Sequence, residues 1–319
     1  MSVTGFLLSG LVRDFLVIRQ PGHEGEVARY YHRFTNNTNY CYANSLFQAL
    51  ASLPPVVDLV TQSTDVNPVF NIIRSLLEKA DGHTAIEISR AVKNEIQIGA
   101  TFEMRGINRV QLFSHGNFEE SIQFFLFILS VQKYQALTEL FNIRTTYEYG
   151  DNQAVTIAQT GDHKEGDDGT NGSTVFVRII ADNLTKQTNI QNIDMINMVT
   201  LNVSINIPVI TKLVSAPKTL CVEVMNGSGL NYLVVTENLT FLEHAYKLCA
   251  IVCYADEHYF SYCKRNEKWY KFNDKIGRVT DQTKAAHNAN STMVMIEHFD
   301  DVRRGIMDKL TSILFYSKI

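Results

Sequence analysis

The chain has 319 residues, of which 45% are hydrophobic, and its formal net charge is −4 at pH 7. This is enough apolar material for a sizeable core in one large domain or two ordinary ones. The charge is small and no Lys/Arg-rich block is present, so nothing favours nucleic acid or an acidic membrane surface as a partner. The five cysteines are a sparse, odd-numbered set, which favours a reducing intracellular compartment, cytoplasmic or nuclear.

Two kinds of hydrophobic pattern follow each other along the chain. Residues 44–140 carry apolar residues at three- and four-residue spacing, which predicts helices. After about residue 145 the pattern changes to β-branched runs, such as 175–180 and 201–207, which predict strands. Segment 161–173 has no apolar residue and four glycines, and this composition predicts a solvated loop or a hairpin tip. A helical block followed by a sheet block, without βαβ alternation, predicts an α+β architecture.

Cys41 stands just before a short amphipathic segment. The apolar residues between 46 and 53 share one helix face, and Pro54-Pro55 predicts the end of that helix. A thiolate at a helix N-terminus is favoured by unsatisfied backbone N–H groups and by the helix dipole, so we expect the pKa of the thiol to lie below about 8.5. This makes Cys41 a candidate nucleophile. The alternative is a small buried residue, which is what most cysteines are.

A nucleophilic cysteine needs a base, and the segment 247–274 offers one in His258. The pattern predicts an apolar strand, a short turn, and then a hairpin of two strands joined by a polar loop at 264–268. The alternative for His258 is a surface histidine at the start of a strand.

The predicted hairpin places an amide beside that histidine. If the hairpin is symmetric about the midpoint between Arg265 and Asn266, His258 lies opposite Asn273. The side-chain carbonyl of Asn273 could then hold one ring N–H and leave the other nitrogen to accept the thiol proton. A bulge in the loop would shift the register and bring in Asp274 instead.

Three motifs, in this order, resemble those of the ubiquitin-specific protease family, papain-like cysteine enzymes that cut after the C-terminal glycine of ubiquitin. The stretch NNTNYCYANSLFQ at 36–48 resembles the cysteine box of the family. HYFSY at 258–262, followed by WYKFND at 269–274, resembles the histidine box. TSILFYSK at 311–318 resembles the strand that usually closes the catalytic domain.

The resemblance implies a fold and a domain division. The expected fold is a papain-like α+β domain over residues 34–319, after an N-terminal extension at 1–33. Within the domain, a helical thumb would cover about 36–140, with a β-rich palm and β fingers over about 141–319. The segment between the helical part and Pro217 is short for the usual pair of finger hairpins, so the fingers are expected to be reduced.

The resemblance also implies roles for residues at matching positions. Cys41 would be the nucleophile, His258 the base and Asn273 the residue that orients the base, with Asp274 beside it as support or substitute. Asn36 matches the asparagine that helps to stabilise the oxyanion, a task that needs a fixed hydrogen-bond donor. Three further polar or aromatic residues are interpreted as structural: Asn44, Gln48 and Trp269.

The substrate side of the pattern departs from the family just before the catalytic histidine and in the acidic helix, where Gln123 stands in place of the second carboxylate. Most members carry glycine just before the catalytic histidine, and here that residue is Glu257. A glutamate adds bulk and charge where glycine allows close backbone approach, so selection of the substrate tail is expected to differ. Glu257, Tyr259 and Glu120 are the candidate substrate contacts. Glu120 matches part of an acidic helix that receives basic residues of the ubiquitin tail, and its alternative is an ordinary solvated carboxylate.

The function implied is that of a thiol-dependent deubiquitinase that hydrolyses the peptide or isopeptide bond after the ubiquitin C-terminus. No cofactor is required by this chemistry. Many members bind zinc in the fingers through cysteines, but residues 141–220 contain no cysteine, so no structural zinc is expected there. Two alternatives stay open: a protease for another modifier such as SUMO or NEDD8, and a catalytically weak scaffold that binds ubiquitin.

Overall fold

The structure of the protein is a computed structural model that describes residues 33–34, 40–78, 85–86, 101–102, 110–111, 120–130, 134–149, 171–180, 188–192, 209–225, 233–274, 292–306 and 311–319. Within these ranges, the helices are α1 (Cys41–Leu50), α2 (Pro54–Gln62), α3 (Pro68–Leu77), α4 (Ser121–Ser130), α5 (Gln135–Phe141) and α6 (Phe299–Ile306), with a 3-10 turn at Ile190–Asn192.

The strands lie mostly in the second half of the chain. They are β1 (Arg33–Phe34), β2 (Ala85–Ile86), β3 (Thr101–Phe102), β4 (Val110–Gln111), β5 (Ile143–Tyr149), β6 (Asn171–Thr174), β7 (Val177–Ile180), β8 (Thr188–Asn189), β9 (Val209–Ser215), β10 (Thr219–Met225), β11 (Leu233–Val234), β12 (Asn238–Phe241), β13 (His244–Ala255), β14 (His258–Arg265), β15 (Lys268–Asn273), β16 (Thr292–Ile296) and β17 (Thr311–Lys318).

One sheet dominates the described residues. Its strand order is β16-β15-β14-β13-β17-β10-β7, and β12 pairs with β13 beside this path. Neighbouring strands are antiparallel except β10 and β7, which are parallel. The strand expected to close the domain, β17, lies in the middle of the sheet between β13 and β10. A smaller sheet has the order β6-β5-β9.

Both faces of the main sheet are covered, and side chains alternate between two cores. Ile313 and Phe315 of β17 point into the core formed with α1 to α5, whereas Leu314 and Tyr316 point into the core on the other face, which includes α6. Such alternation follows from the two-residue period of a strand. Strands buried on both faces read as continuous hydrophobic runs, which explains sequences such as LCAIVCY in β13.

The first helix, α1, is the centre of the helical side. All ten of its residues are buried, and it contacts β13, β14 and β15 on one side and α3 and α4 on another. The expected α+β class is confirmed by these helices and the largely antiparallel sheet. No helix within the described ranges is long and apolar enough to cross a membrane.

The prolines after α1 act differently from the prediction. The helix already ends at Leu50, and Leu53 lies outside it, just before α2. Pro54 and Pro55 begin α2, where a residue without an N–H loses no helical hydrogen bond. Further along, the predicted strand at 175–180 begins only at Val177.

Several expectations fall on residues outside the described ranges. These are the N-terminal extension up to residue 32, the polar segment at 161–170 and the predicted strand at 201–207. Residues 171–173 of the polar segment belong to β6.

The hairpin that was expected to orient the histidine has a different register. Arg265 pairs with Lys268, and the turn between them is Asn266–Glu267, with φ angles of 50° and 62°. Positive φ at both central residues is typical of a tight two-residue hairpin turn. The centre therefore lies one position later than predicted, because residues 264 and 265 continue β14 instead of entering a loop.

The corrected register keeps the candidate residues on one side of the sheet. Continued from Ser261 opposite Phe272, it sets Asn273 opposite Phe260 and diagonal to His258. A shift of one residue would have turned Asn273 to the other face, but the pairing differs by two residues, which preserves the face. Diagonal neighbours on one face are within reach of longer side chains.

Candidate active site

Cys41 is the first residue of α1 and is almost completely buried, with 3% of its surface exposed. Its sulfur accepts a hydrogen bond from the backbone N–H of Tyr259, the residue directly after His258. The preceding residue, Tyr40, makes no side-chain cap, and its carbonyl accepts from the backbone N–H groups of Ala43 and Asn44. The fold therefore brings the start of α1 against the start of β14.

The chemistry of this thiol is set by burial. Desolvation raises the pKa of Cys41 to about 11; the N–H of Tyr259 opposes this shift, and the negative charge of Asp274 adds to it. The expectation of a lowered thiol pKa is therefore wrong, because the loss of hydration of the thiolate outweighs what the backbone N–H groups supply. At neutral pH the resting side chain is a thiol.

His258 begins β14 and is buried, with 7% of its surface exposed. Its Nε2 lies 2.8 Å from Oδ1 of Asn273, the last residue of β15. The same Nε2 lies 3.2 Å from Oδ1 of Asp274. Because both of these oxygens are acceptors, Nε2 carries the proton in the neutral ring, and Nδ1 is the nitrogen with the lone pair.

The structure thus brings together both residues between which the sequence left a choice. Asn273 supplies the shorter contact, and Asp274 supplies a carboxylate that stabilises a positive charge on the imidazole. Asp274 also accepts a 2.5 Å hydrogen bond on Oδ2 from Nδ2 of Asn44, in the first turn of α1. A polar chain therefore runs from His258 through Asp274 to the helix that carries Cys41.

An acidic and aromatic group of residues lies next to the sulfur. The rings of Tyr254 and Tyr259 are 4.9 Å apart. Burial raises the pKa of Tyr254, and the negative charges of Glu257, of the Cys41 thiolate when it forms, and of Glu120 raise it further. Glu120 is exposed, just before α4, and accepts a hydrogen bond from Gln123 on that helix.

The candidate substrate contacts differ in how accessible they are. Glu257 is exposed and occupies the tight turn between β13 and β14, with a φ of 57°. Tyr259 is buried, and the backbone of Ser121 donates a hydrogen bond to its hydroxyl. Tyr259 thus holds β14 against α4, and its backbone N–H contacts the sulfur of Cys41.

A second contact between α1 and β14 is structural. The buried guanidinium of Arg265 donates from Nη2 to Oε1 of Gln48 at 2.7 Å and from Nε to Oγ of Ser52 at 3.0 Å. This pairing agrees with the interpretation of Gln48 as a structural residue. Trp269 is also buried, and its indole N–H donates to Glu237 at 3.1 Å.

Two further points concern the expected oxyanion residue and metal binding. Asn36, the expected oxyanion residue, lies outside the described ranges. Within those ranges, no group of three or more His, Cys, Asp and Glu side chains could hold a metal ion. The five cysteines, all of which are described, form no disulfide.

The sequence predicts a structural role for Asn44, between the helix and the hairpin, but not which residue is its partner. Asn44 was interpreted as structural, and its partner Asp274 is 230 positions away. The available signal was an amide three residues after Cys41, on a helix that proves to be buried along its whole length. A buried amide needs hydrogen-bond partners, so such a position points to a partner elsewhere in the chain.

Comparison with known proteins identifies the family. The family model described as ubiquitin carboxyl-terminal hydrolase matches residues 117–316, which is more than half of the chain. The chain belongs to this family, in agreement with the resemblance to ubiquitin-specific proteases. The matched range contains His258, Asn273 and Asp274, whereas Cys41 precedes it.

A solved structure supports the fold. The chain is similar to an essential yeast splicing factor, known from its crystal structure, with a TM-score of 0.52 and 14% sequence identity. The match covers 91% of this chain and 69% of the other. At this identity the likeness concerns the fold alone. No curated protein sequence matches the chain.

Proposed function

We propose that the protein is a thiol-dependent deubiquitinase that hydrolyses the peptide or isopeptide bond after the C-terminal glycine of ubiquitin. The observation that carries the proposal is the buried His258, whose Nε2 meets Asn273 and Asp274 while its neighbour Tyr259 contacts the sulfur of Cys41. A nucleophile beside a base that is itself oriented by a third group is the arrangement that thiol hydrolysis needs.

The proposed reaction begins from a neutral thiol. Because the pKa of Cys41 is raised, His258 must remove the thiol proton through Nδ1 as the sulfur attacks the substrate carbonyl. The imidazolium that forms is stabilised by the carboxylate of Asp274 and the carbonyl of Asn273. His258 then gives the proton to the leaving amine, and water, deprotonated by the same histidine, hydrolyses the thioester.

The remaining roles follow from the family. Asn36 is proposed to donate to the oxyanion and Glu120 to receive a basic residue of the ubiquitin tail. The helical side and the main sheet are proposed to be the papain-like thumb and palm, and the small β6-β5-β9 sheet is proposed to be what remains of the fingers.

Two observations support alternative functions. The exposed Glu257, in place of the usual glycine, supports selection of another modifier such as SUMO or NEDD8. The burial of Cys41 supports a scaffold that binds ubiquitin without cutting it, because a neutral, covered thiol is a poor nucleophile.

The test is labelling with ubiquitin, SUMO and NEDD8 that carry a C-terminal electrophile. The proposal expects ubiquitin to label the protein, Cys41→Ala to abolish labelling and Cys249→Ala, a change at another buried cysteine, to preserve it. Labelling by SUMO or NEDD8 alone would identify the other modifier as the substrate. Absence of all labelling, together with measurable ubiquitin binding, would identify the scaffold.

A further inference from the structure

The first helix carries three buried polar side chains with different destinations. Ser45 donates within its own helix, to the carbonyl of Cys41 at 2.7 Å. Gln48 accepts from Arg265 at 2.7 Å, towards the far end of α1. Asn44 reaches Asp274 at 2.5 Å, at the end of β15. Asn44 is therefore the polar residue nearest to Cys41 whose side chain bonds outside the helix, and its partner is the carboxylate beside His258.

The two oxygens of the Asp274 carboxylate face different groups. Oδ2 accepts from Asn44, and Oδ1 lies 3.2 Å from Nε2 of His258. Asp274 follows the last residue of β15, so the strand ladder does not restrain it. A short carboxylate side chain rotates easily about its terminal bond, and the hydrogen bond from Asn44 stops this rotation.

We propose that Asn44 is a positioning residue that holds Asp274 with one oxygen turned to His258, and so ties the orientation of the base to the helix turn that carries the nucleophile. The inference rests on the proposed function, since the reaction that benefits is thiol hydrolysis. Asn44 and Cys41 share the first turn of α1, so any displacement of that turn moves the sulfur and the support of the base together.

The first experiment measures hydrolysis of a ubiquitin C-terminal fluorogenic substrate. Asn44→Ala is expected to lower kcat about 10- to 100-fold with little change in KM, because a hydrogen bond to a buried carboxylate is lost. The matched control is Gln48→Ala on the same helix, which should lower stability but leave kcat within about twofold.

A reversed pair separates positioning from a general loss of packing. Asn44→Asp places two carboxylates against each other and should lower kcat at least as much as Asn44→Ala. Combining Asn44→Asp with Asp274→Asn restores an amide-to-carboxylate hydrogen bond, and the new amide oxygen can still accept from His258. The double variant should recover at least about tenfold of kcat over Asn44→Asp.

A spectroscopic measurement makes the result independent of turnover. In protein labelled with ¹⁵N-histidine, the Nε2–H proton of His258, assigned by its loss in His258→Gln, should be observed in the wild type and in Gln48→Ala. It should be lost or broadened in Asn44→Ala and return in the reversed pair, because a ring that is no longer held exchanges its proton with water.

The outcomes distinguish the two proposals. An active wild type whose kcat is unchanged by Asn44→Ala, or a reversed pair that recovers nothing, overturns the role of Asn44. A wild type that hydrolyses no substrate, but whose ring signal depends on Asn44, overturns the proposed function and supports the positioning role. If neither turnover nor the ring signal responds to Asn44, the positioning role is wrong whatever the function.

Discussion

The two sides of the candidate site hold their reactive groups in opposite ways. Cys41 is the first residue of a helix whose ten residues are all buried, and desolvation keeps its thiol neutral. His258 is the first residue of β14, beside the end of β15, and its Nε2 already lies next to Asn273 and Asp274. The proposed base is therefore already held in place in the resting protein, whereas the proposed nucleophile is not ionised.

This difference indicates where activation has to occur. A polar cluster can be complete before the substrate arrives because its members satisfy one another. A buried thiolate cannot form in advance in the same way. The free energy lost when its charge is dehydrated exceeds the free energy gained from the nearby N–H groups. In the proposed mechanism, the sulfur becomes reactive only when its proton passes to the imidazole of His258.

The largest expected effect tests the polar side. His258→Gln should lower kcat/KM for a ubiquitin substrate about 10²- to 10⁴-fold, the usual contribution of a general acid and base. The matched control is His244→Gln, at an exposed position at the start of β13, which should leave activity unchanged. Equal activity of the two variants would mean that the prepared base is not used.

The next largest effect tests the thiol side. At pH 8 a thiol with a pKa of about 11 has a thiolate fraction about 100-fold smaller than one at the unperturbed value of 9.0. The rate at which iodoacetamide alkylates Cys41, followed by peptide mass spectrometry, should therefore keep rising between pH 8 and pH 10. Between pH 9 and pH 10 the folded protein should gain about tenfold in rate, whereas the urea-unfolded chain, with a pKa near 9, should gain only about twofold and then level off. If the alkylation rate of the folded protein reached a plateau near neutral pH, the thiol would already be ionised, and the contrast between a neutral thiol and a prepared base would be wrong.

A third substitution tests the structural link between α1 and β14. Arg265→Ala removes the buried guanidinium that links β14 to Gln48 and Ser52, and we expect a loss of about 2–4 kcal/mol in the free energy of unfolding. Urea denaturation measures this loss. Lys268→Ala, at the exposed residue that pairs with Arg265 across the turn, should cost less than about 0.5 kcal/mol. Equal costs would show that the link is not structural.

The smallest effect concerns the turn between β13 and β14, which directly precedes His258. Glu257 has a φ of 57°, a conformation that side chains with a Cβ adopt at a cost of about 1 kcal/mol. Glu257→Gly should therefore stabilise the protein by about 0.5–1 kcal/mol. Glu243→Gly, at a φ of 63° in the turn before β13, should give a similar gain. Only the change at Glu257 should alter the rate of labelling by ubiquitin, SUMO or NEDD8 probes; equal rates would argue against a role in tail selection.

Local patterns predicted most of the elements near the site. The spacing of apolar residues after Cys41 predicted α1, and the motif at 311–318 coincides with β17. The turn before β15 was harder, because Lys264 and Arg265 look like loop residues in isolation. They are strand residues since Lys264 pairs with Trp269 and Arg265 finds buried partners on α1.

Quantities that depend on distant neighbours were not predictable. The helix N-terminus correctly indicated a source of N–H groups but not the degree of burial, and burial decided the sign of the pKa shift at Cys41. The register error changed the neighbour of Asn273 without changing its face, so the conclusion that it meets His258 survived an incorrect pairing.

The sequence by itself determined which residues could carry thiol chemistry and the family to which the chain belongs, because those follow from residue types at short, regular spacings. Only the tertiary structure decided that Asn273 and Asp274 both reach the ring, that Asn44 holds the second of them, and that the thiol rests in its neutral form. The physical reason is that hydrogen-bond partners 230 positions apart and the loss of water around a sulfur arise only when the whole chain packs.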